Sequence, residues 1–120
     1  MKVSNAILST IAILCALAIL GFATPAHAAA KKVLVVTVTK GFRHSSIPTA
    51  EKVLGELAEK SGAFKVDYVR NDAEMAEKMT LKSLAQYDGV IFANTTGDLP
   101  LPDKEGFLNW IKSGKAFMGM

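Results

Sequence analysis

A continuous apolar stretch from Val33 to Thr39 constrains the fold of this chain most strongly. It is rich in β-branched residues and contains no charged side chain. A strand with one solvated face alternates apolar and polar residues, whereas this stretch has no polar face before its end. It is therefore typical of a strand that is buried on both sides, as in a parallel sheet with helices on both faces.

A polar loop and an amphipathic helix follow this strand. Gly41 interrupts the apolar pattern, Ser46 is predicted to cap the helix, and Pro48 falls in its first turn, where a missing N–H group costs little. Gly62 is expected to end the helix. One helical face is apolar and contains Ile47, Ala50, Val53, Leu54, Leu57 and Ala58, whereas the charged residues fall elsewhere, at Glu51, Lys52, Glu56, Glu59 and Lys60.

The rest of the chain continues the alternation of strands and helices. Residues 64–70 alternate apolar and charged side chains, which predicts an edge strand. Two short helices are expected within 72–85, a buried strand at 90–93, a helix opened by Asp103 and a fourth strand beginning at 115–117. Right-handed crossovers between these elements predict an α/β fold: a three-layer, flavodoxin-like parallel sheet in the order 2-1-3-4.

The predicted fourth strand begins close to Met120, and no further helix follows in the sequence to cover it. We therefore expect the flavodoxin-like sheet to be incomplete at its C-terminus. An unpaired strand edge is a template for pairing with another chain. A protein partner at the C-terminal strand edge is accordingly one prediction from the sequence.

The first 28 residues have the layout of a secretory signal peptide. Lys2 supplies a positive charge, residues 6–23 are uncharged and mostly Ala, Ile and Leu, and the segment from Pro25 to Ala28 ends in an Ala-x-Ala pattern. Cleavage after Ala28 is expected, which leaves residues 29–120 as one exported domain, periplasmic or secreted. The alternative is an uncleaved anchor, because the apolar segment is near the length that spans a bilayer.

Cleavage would narrow the chemistry that the domain can perform. The only cysteine, Cys15, and one of the two histidines, His27, lie in the predicted signal peptide, so His44 is the single histidine of the domain. A lone histidine without cysteine is a poor metal site, so no metal is predicted, and the residues identify no cofactor. The net charge of +3 comes without a basic cluster, which argues against nucleic-acid binding.

Three segments are predicted to converge where a ligand would bind. In open α/β sheets, ligands occupy the carboxyl ends of the strands near the reversal of strand order. With the order 2-1-3-4 this position lies between the first and third strands. Residues 40–46, 94–98 and 118–120 are therefore expected to meet there.

Side chains of the first segment have the chemistry of a ligand site. His44 is a candidate general acid or base because histidine titrates near neutrality, Arg43 offers several N–H donors, and Ser45 offers a hydroxyl. The alternative is local: His44 bonds only within its loop, Arg43 pairs with an acid such as Asp98, and Ser46 only caps the helix. Asp98 can also orient His44 or cap a turn.

The second segment allows two interpretations as well. The backbone N–H groups of residues 94–97 can form a nest for an oxyanion. The alternative is an ordinary turn between a strand and a helix.

Three sequence segments are similar to a known family. They are residues 32–47, 87–98 and 114–120, of which the run Gly-Phe-Arg-His-Ser-Ser-Ile is the most specific. On these residues the chain resembles the ThuA-like (trehalose utilisation) family within the class I glutamine amidotransferase-like superfamily. The resemblance implies a flavodoxin-like fold and a role in carbohydrate use, particularly of disaccharides. It also implies roles at the matching loop positions, which are Gly41, Phe42, Arg43, His44, Ser45, Asn94, Thr95 and Gly97.

Two functional hypotheses follow, and whether the chain is an enzyme stays open. The first is an exported ThuA-like domain that binds or processes a sugar or sugar derivative, with His44 as acid or base and Arg43 as a substrate clamp. The second is a non-catalytic module that associates with another chain. Glutaminase activity is not expected, because the domain lacks the cysteine nucleophile of the glutaminase relatives.

Overall fold

The fold is a four-stranded parallel sheet with helices, seen in a computed structural model that describes residues 28–120. The strand order is β2-β1-β3-β4, for β1 (Lys31–Val36), β2 (Phe64–Val69), β3 (Gly89–Phe92) and β4 (Ala116–Gly119). The connecting helices are α1 (Ile47–Ser61), α2 (Asp72–Lys78), α3 (Leu81–Leu84) and α4 (Lys104–Lys112). The predicted flavodoxin-like arrangement and its strand order are confirmed. The predicted signal peptide, except for Ala28, lies outside the described residues.

The apolar stretch from Val33 to Thr39 begins within the central strand β1. Leu34, Val35 and Val36 are completely buried because β1 pairs with β2 on one side and with β3 on the other. The strand ends at Val36, earlier than the apolar pattern, and Thr39 forms an isolated bridge with Thr96 beyond it. The position of β2 at the edge of the sheet, with its alternating exposure, is also as predicted.

One face of the sheet carries the main hydrophobic core. Leu34 and Val36 of β1 point into it, as does Val90 of β3. The indole N–H of Trp110 donates to the carbonyl of Leu84 at 3.1 Å, so the polar atom of this large side chain is satisfied inside the cluster. The buried members of this main core are Leu34, Val36, Val38, Val69, Met75, Met79, Leu84, Tyr87, Val90, Leu99, Phe107 and Trp110.

The opposite face of the sheet is covered by α1. Ile47 and Ala58 are buried there, but Val53 and Leu57 of the predicted apolar face are 47% and 51% exposed. Glu51, which the helical pattern assigned to another face, points inward instead and its side chain is only 15% exposed. The helix thus lies over β1 and β2, and its Val53–Leu57 flank faces away from β2.

Local signals set the helix ends in three of the predicted places. Asp103 accepts a hydrogen bond from the N–H of Gly106 at 2.8 Å and opens α4. Gly62 adopts a left-handed conformation with φ of 63° and closes α1 by donating to the carbonyl of Ala58. Gly114, with φ of 100°, follows the end of α4. Within residues 28–120, no helix is long and apolar enough to cross a membrane.

Candidate functional site

The three segments predicted to converge do meet at the carboxyl ends of β1 and β3. We call residues 40–46 site loop 1 and residues 94–98 site loop 2. The N–H of Lys40 donates to the carbonyl of Thr96 at 2.8 Å, which ties the loops together. The N–H of Asn94 donates to the carbonyl of Met120 at 2.8 Å, which adds the third segment. The loops therefore lie at the reversal of strand order, as expected for an open α/β sheet.

Gly97 permits the close approach of the two loops. Its φ of 83° is in the left-handed region, and a Cβ atom there would lie 2.7 Å from the Cβ of Lys40. This separation is shorter than any ordinary carbon–carbon contact, and the backbone conformation also disfavours a side chain. A side chain at this position would therefore push site loop 2 away from site loop 1.

Asn94 makes a second connection between the loops. It is the one non-glycine residue among residues 28–120 with a positive φ, 53°, a conformation that asparagine tolerates better than most residues. Its side-chain N–H group donates to Oγ of Ser46 at 2.8 Å. Ser46 has helical dihedral angles and forms no cap with its side chain, so the prediction that Ser46 caps α1 is wrong.

Phe42 and His44 form an exposed pair on site loop 1. Their ring centroids lie 5.2 Å apart and the rings are nearly perpendicular, at 87°. Phe42 is 73% exposed, which is unusual for a phenylalanine, and His44 is exposed as well. The carbonyl of His44 accepts a hydrogen bond from the N–H of Ile47 at 3.2 Å, which fixes the backbone but leaves the imidazole at the surface.

Across residues 28–120, Asp98 pairs with neither Arg43 nor His44, the two partners suggested from the sequence. Its carboxylate accepts a hydrogen bond from Nζ of Lys104 at 2.7 Å, and this pairing lowers the pKa of Asp98. Among the described residues, neither His44 nor Arg43 is paired with it. His44 is therefore not oriented by a carboxylate in the part of the chain that the structure describes.

The remaining predicted residues lie on the same surface. Ser45 is exposed, Thr95 is partly exposed, and Gly41 adopts a left-handed conformation with open space around it. All eight predicted positions thus fall on the two loops at the carboxyl ends of β1 and β3. Their roles in ligand binding stay a prediction.

Glu51 is the charged residue next to the site that sequence reasoning missed. Its Oε1 accepts from the hydroxyl of Thr37 at 2.7 Å, and its Oε2 accepts from Nε of Arg70 at 2.8 Å. Burial raises the pKa of Glu51, but the hydrogen bonds from Arg70 and Thr37 and the charges of Arg70 and Arg43 outweigh it, so the pKa is lowered overall. Its spacing from Ile47 and Ala58, on the buried stripe of α1, is the signal that predicts an inward carboxylate.

Arg43 lies beside this carboxylate. Its Nη1 donates to the carbonyl of Thr37 at 2.8 Å, and its Nη2 lies 3.7 Å from Oε1 of Glu51. The side chain is 44% exposed, so part of the guanidinium still faces solvent.

The candidate site is an open surface in this structure. Concave regions of about 690, 480 and 410 Å³ lie near the amino end of the sheet at Val33 and Gly89, between α1 and β2, and beside Arg70. None of these three is lined by site loops 1 or 2. Within residues 28–120, no group of three or more His, Cys, Asp or Glu side chains is arranged to hold a metal ion.

Comparison with known proteins places the chain in a family. The family model ThuA, described as trehalose utilisation, matches residues 32–120 and so includes both site loops. No curated protein matches the chain, and no solved structure matches it. The relation to the glutamine amidotransferase-like superfamily is consistent with this family. Because the family model spans most of the sequence, the chain belongs to the ThuA (trehalose utilisation) family.

Proposed function

We propose that this protein is an exported carbohydrate-binding domain whose ligand lies across site loops 1 and 2. The family membership supports a sugar-related role. The exposed Phe42–His44 pair at the reversal of strand order is the observation that carries the choice of site. An exposed aromatic ring beside polar groups at a ligand-binding edge indicates a binding surface rather than a packing role.

The chemistry of the pair suits a disaccharide or a sugar derivative. The ring of Phe42 offers an apolar face to the C–H groups of a pyranose. The imidazole of His44 and the hydroxyl groups of Ser45 and Thr95 offer hydrogen bonds to the sugar hydroxyls. His44 is the side chain placed to accept or donate a proton if the bound sugar reacts.

Titration of the full chain with trehalose, other disaccharides and their oxidised forms tests this proposal. Calorimetry and saturation-transfer NMR measure binding directly. Phe42→Ala and His44→Ala are each expected to weaken binding about tenfold, the effect of one good contact at a binding surface. Leu108→Ala is the matched control, because Leu108 is 55% exposed on α4, outside both loops. Undiminished binding by the Phe42→Ala, His44→Ala double variant would refute the site.

Export is the second part of the proposal and rests on the N-terminal sequence pattern. The positive residue, the apolar segment and the Ala-x-Ala pattern support recognition and cleavage by a secretory pathway. The intact mass of protein recovered from outside the cytoplasm is expected to correspond to residues 29–120. Recovery of only the full-length form from the membrane fraction would favour the anchor instead.

A second candidate function is supported by the edge strand β4. All four of its residues are exposed and none is charged, and Phe117 and Met118 are 48% and 54% exposed. Natural edge strands usually carry charges or coverage that prevent pairing. The protein would then be a non-catalytic module that pairs along β4 with a strand of another chain.

The backbone of β4 provides a specific test of this second candidate. The N–H groups of Ala116 and Met120 donate to Asp88, just before β3, and to Phe92 of β3, so alternation directs the N–H of Gly119 outward. Gly119→Pro removes that outward donor and is expected to abolish association seen by sedimentation. Lys65→Ala, on the opposite edge strand, is the control. A monomeric protein with one cooperative unfolding transition would count against the candidate.

A further inference from the structure

The carboxylate of Glu51 joins three separate parts of the chain. It accepts hydrogen bonds from Thr37, which follows β1, and from Arg70, which follows β2. It also lies 3.7 Å from the guanidinium of Arg43 on site loop 1. The hydroxyl of Tyr68 donates to the backbone carbonyl of Glu51 at 2.9 Å, which holds this part of α1 against β2.

On the sheet side, the partners of this carboxylate make further contacts of their own. Thr37 is completely buried, and its N–H donates to the carbonyl of Val69 at 2.9 Å. The guanidinium of Arg70 lies 4.2 Å from the ring centroid of Tyr68, and the N–H of Arg70 donates to Glu74 at 2.6 Å. Of the partners of Glu51, Arg43 is the one that lies on site loop 1, whereas Thr37 and Arg70 follow β1 and β2.

We infer that Glu51 is a positioning residue for site loop 1. Together with the carbonyl of Thr37 it holds the guanidinium of Arg43, and this attachment fixes the positions of Phe42 and His44. The inference rests on the proposed function only in treating this loop as the ligand site. It changes the role expected for Arg43 from a substrate clamp to a tether, since Nη1 and Nη2 are directed at Thr37 and Glu51. His44 then remains as the candidate acid or base that the loop presents, since Lys40 is paired with Asp72.

The attachment of Arg43 depends on the negative charge of Glu51. A carboxylate offers two acceptor oxygens, and here one faces Thr37 and Arg43 while the other faces Arg70. An amide in the same place keeps one acceptor but presents an N–H group to a guanidinium or a hydroxyl. Charge-assisted bonds are also the stronger ones, so a neutral isostere weakens both attachments at once.

Glu51→Gln in the isotopically labelled full chain tests the inference without any ligand. The amide hydrogens of Lys40 and Ile47, which donate to Thr96 and His44, are expected to exchange about tenfold faster when the loop loosens. The nuclear Overhauser contact between the Phe42 and His44 rings is expected to weaken as well. His27→Gln identifies the second imidazole signal of the full chain.

Three further variants separate positioning from general stability. Arg43→Met, at the surface, is expected to reproduce the effects of Glu51→Gln even if the latter folds poorly. Glu56→Gln is the matched control, because Glu56 lies on the same helix and pairs only with Lys52 and Lys60 among the described residues. Arg70→Gln removes the partner of the other oxygen and is expected to leave the Phe42–His44 contact intact.

Two results would overturn the inference. One is exchange in Glu51→Gln and Arg43→Met that matches Glu56→Gln. The other is an equal loss of the ring contact in Arg70→Gln, which would mean that Glu51 acts through overall stability. Addition of trehalose to the unaltered protein separates this question from the proposed function. If neither trehalose nor the other disaccharides and their oxidised forms change the His44 signals, the sugar proposal fails, while the effect of Glu51 on the loop is still measured.

Discussion

The two faces of the sheet differ in how completely the helices cover them. On one face, α2, α3 and α4 enclose a cluster in which Leu34 and Leu84 are completely buried. On the other, α1 is the one helix among residues 28–120 that covers β1 and β2. The register aligns Ile91 of β3 with Met118 of β4 on that face, and Met118 is 54% exposed.

This difference shows which face supplies stability and which leaves surface available. Free energy from the hydrophobic effect follows the apolar area removed from water, so the main core contributes most of it. The α1 face contributes less but holds the buried Glu51 network. Paired substitutions of similar chemistry, one on each face, measure the contrast directly.

The largest contrast is expected between two helical leucines. Leu84→Ala in the main core is expected to lower the free energy of unfolding by about 3 kcal/mol, because it removes buried methyl groups and leaves a cavity. Leu57→Ala on α1 is expected to cost less than about 1 kcal/mol, since half of that side chain already contacts water. Urea unfolding measures both values. Equal costs would show that the α1 face is closed in solution.

The second contrast concerns one carboxylate on each face. Glu51 lies on the α1 face, and Asp67 accepts a hydrogen bond from the hydroxyl of Tyr87 at 2.7 Å on the other. Burial raises the pKa of Asp67, but bonds from Tyr87 and Tyr68 and the nearby Lys78 lower it overall, as for Glu51. A lowered folded-state pKa gives stability that is present above the unfolded-state value and is lost as pH falls through the folded-state value.

In Glu51→Gln and Asp67→Asn, the free energy of unfolding should therefore depend less on pH below the ordinary pKa values of the two carboxyl groups, 4.5 and 3.8. The larger effect is expected for Glu51, about 2 kcal/mol at neutral pH, because the bond from Arg70 is charge-assisted and the Glu51 side chain is only 15% exposed. Asp67 is 53% exposed and is screened by solvent. Unfolding midpoints measured from pH 7 to pH 3 test this. A profile unchanged in both variants would contradict the assignment.

A third contrast lies within β4, where neighbouring residues point to opposite faces. Phe117 packs near Phe92 and Phe107, with centroid distances of 5.3 and 6.1 Å. Phe117→Ala is expected to cost about 1 to 2 kcal/mol, a discounted value for a half-exposed aromatic residue, and Met118→Ala about half as much. Thermal unfolding compares the two. A larger loss from Met118 would reveal a partner on the α1 face.

The smallest effect is expected for Val53→Thr. Val53 is 47% exposed on α1, and valine and threonine have similar helix propensity, so the free energy of unfolding should change by less than about 0.5 kcal/mol. Val90→Thr, at 1% exposure in the main core, should cost more than 1 kcal/mol because a hydroxyl is buried. Denaturant midpoints measure both variants. An unchanged midpoint for Val90→Thr would contradict the prediction.

The fold could be predicted from the sequence because its signals are local and agree with one another. The apolar run at β1, the glycine after α1 and the aspartate before α4 each specify one element, and handedness rules order the strands. The meeting of the two site loops followed from that order. The inward position of Glu51 could not be predicted with the same certainty, because it depends on how α1 rotates over the sheet.

The contacts of single polar side chains were also beyond sequence reasoning. Ser46 is a good helix cap by type, yet it accepts a hydrogen bond from Asn94 across the loops. Arg43 and His44 were two of the partners suggested for Asp98, but its carboxylate accepts a hydrogen bond from Lys104, six residues further along. Several chemically suitable partners compete for each such group, and only the packed structure decides between them.

The absence of a side chain at Gly97 allows site loop 2 to lie against site loop 1. Because a Cβ at this position would lie 2.7 Å from the Cβ of Lys40, the two loops approach this closely only with glycine at residue 97. The spacing between site loops 1 and 2 is thus specified by an atom that the chain omits. Under the proposed function, a single methyl group at residue 97 would increase that spacing without changing the side chains of Phe42, His44, Ser45 or Thr95, so selectivity for ligand size would depend on a residue that has no side chain.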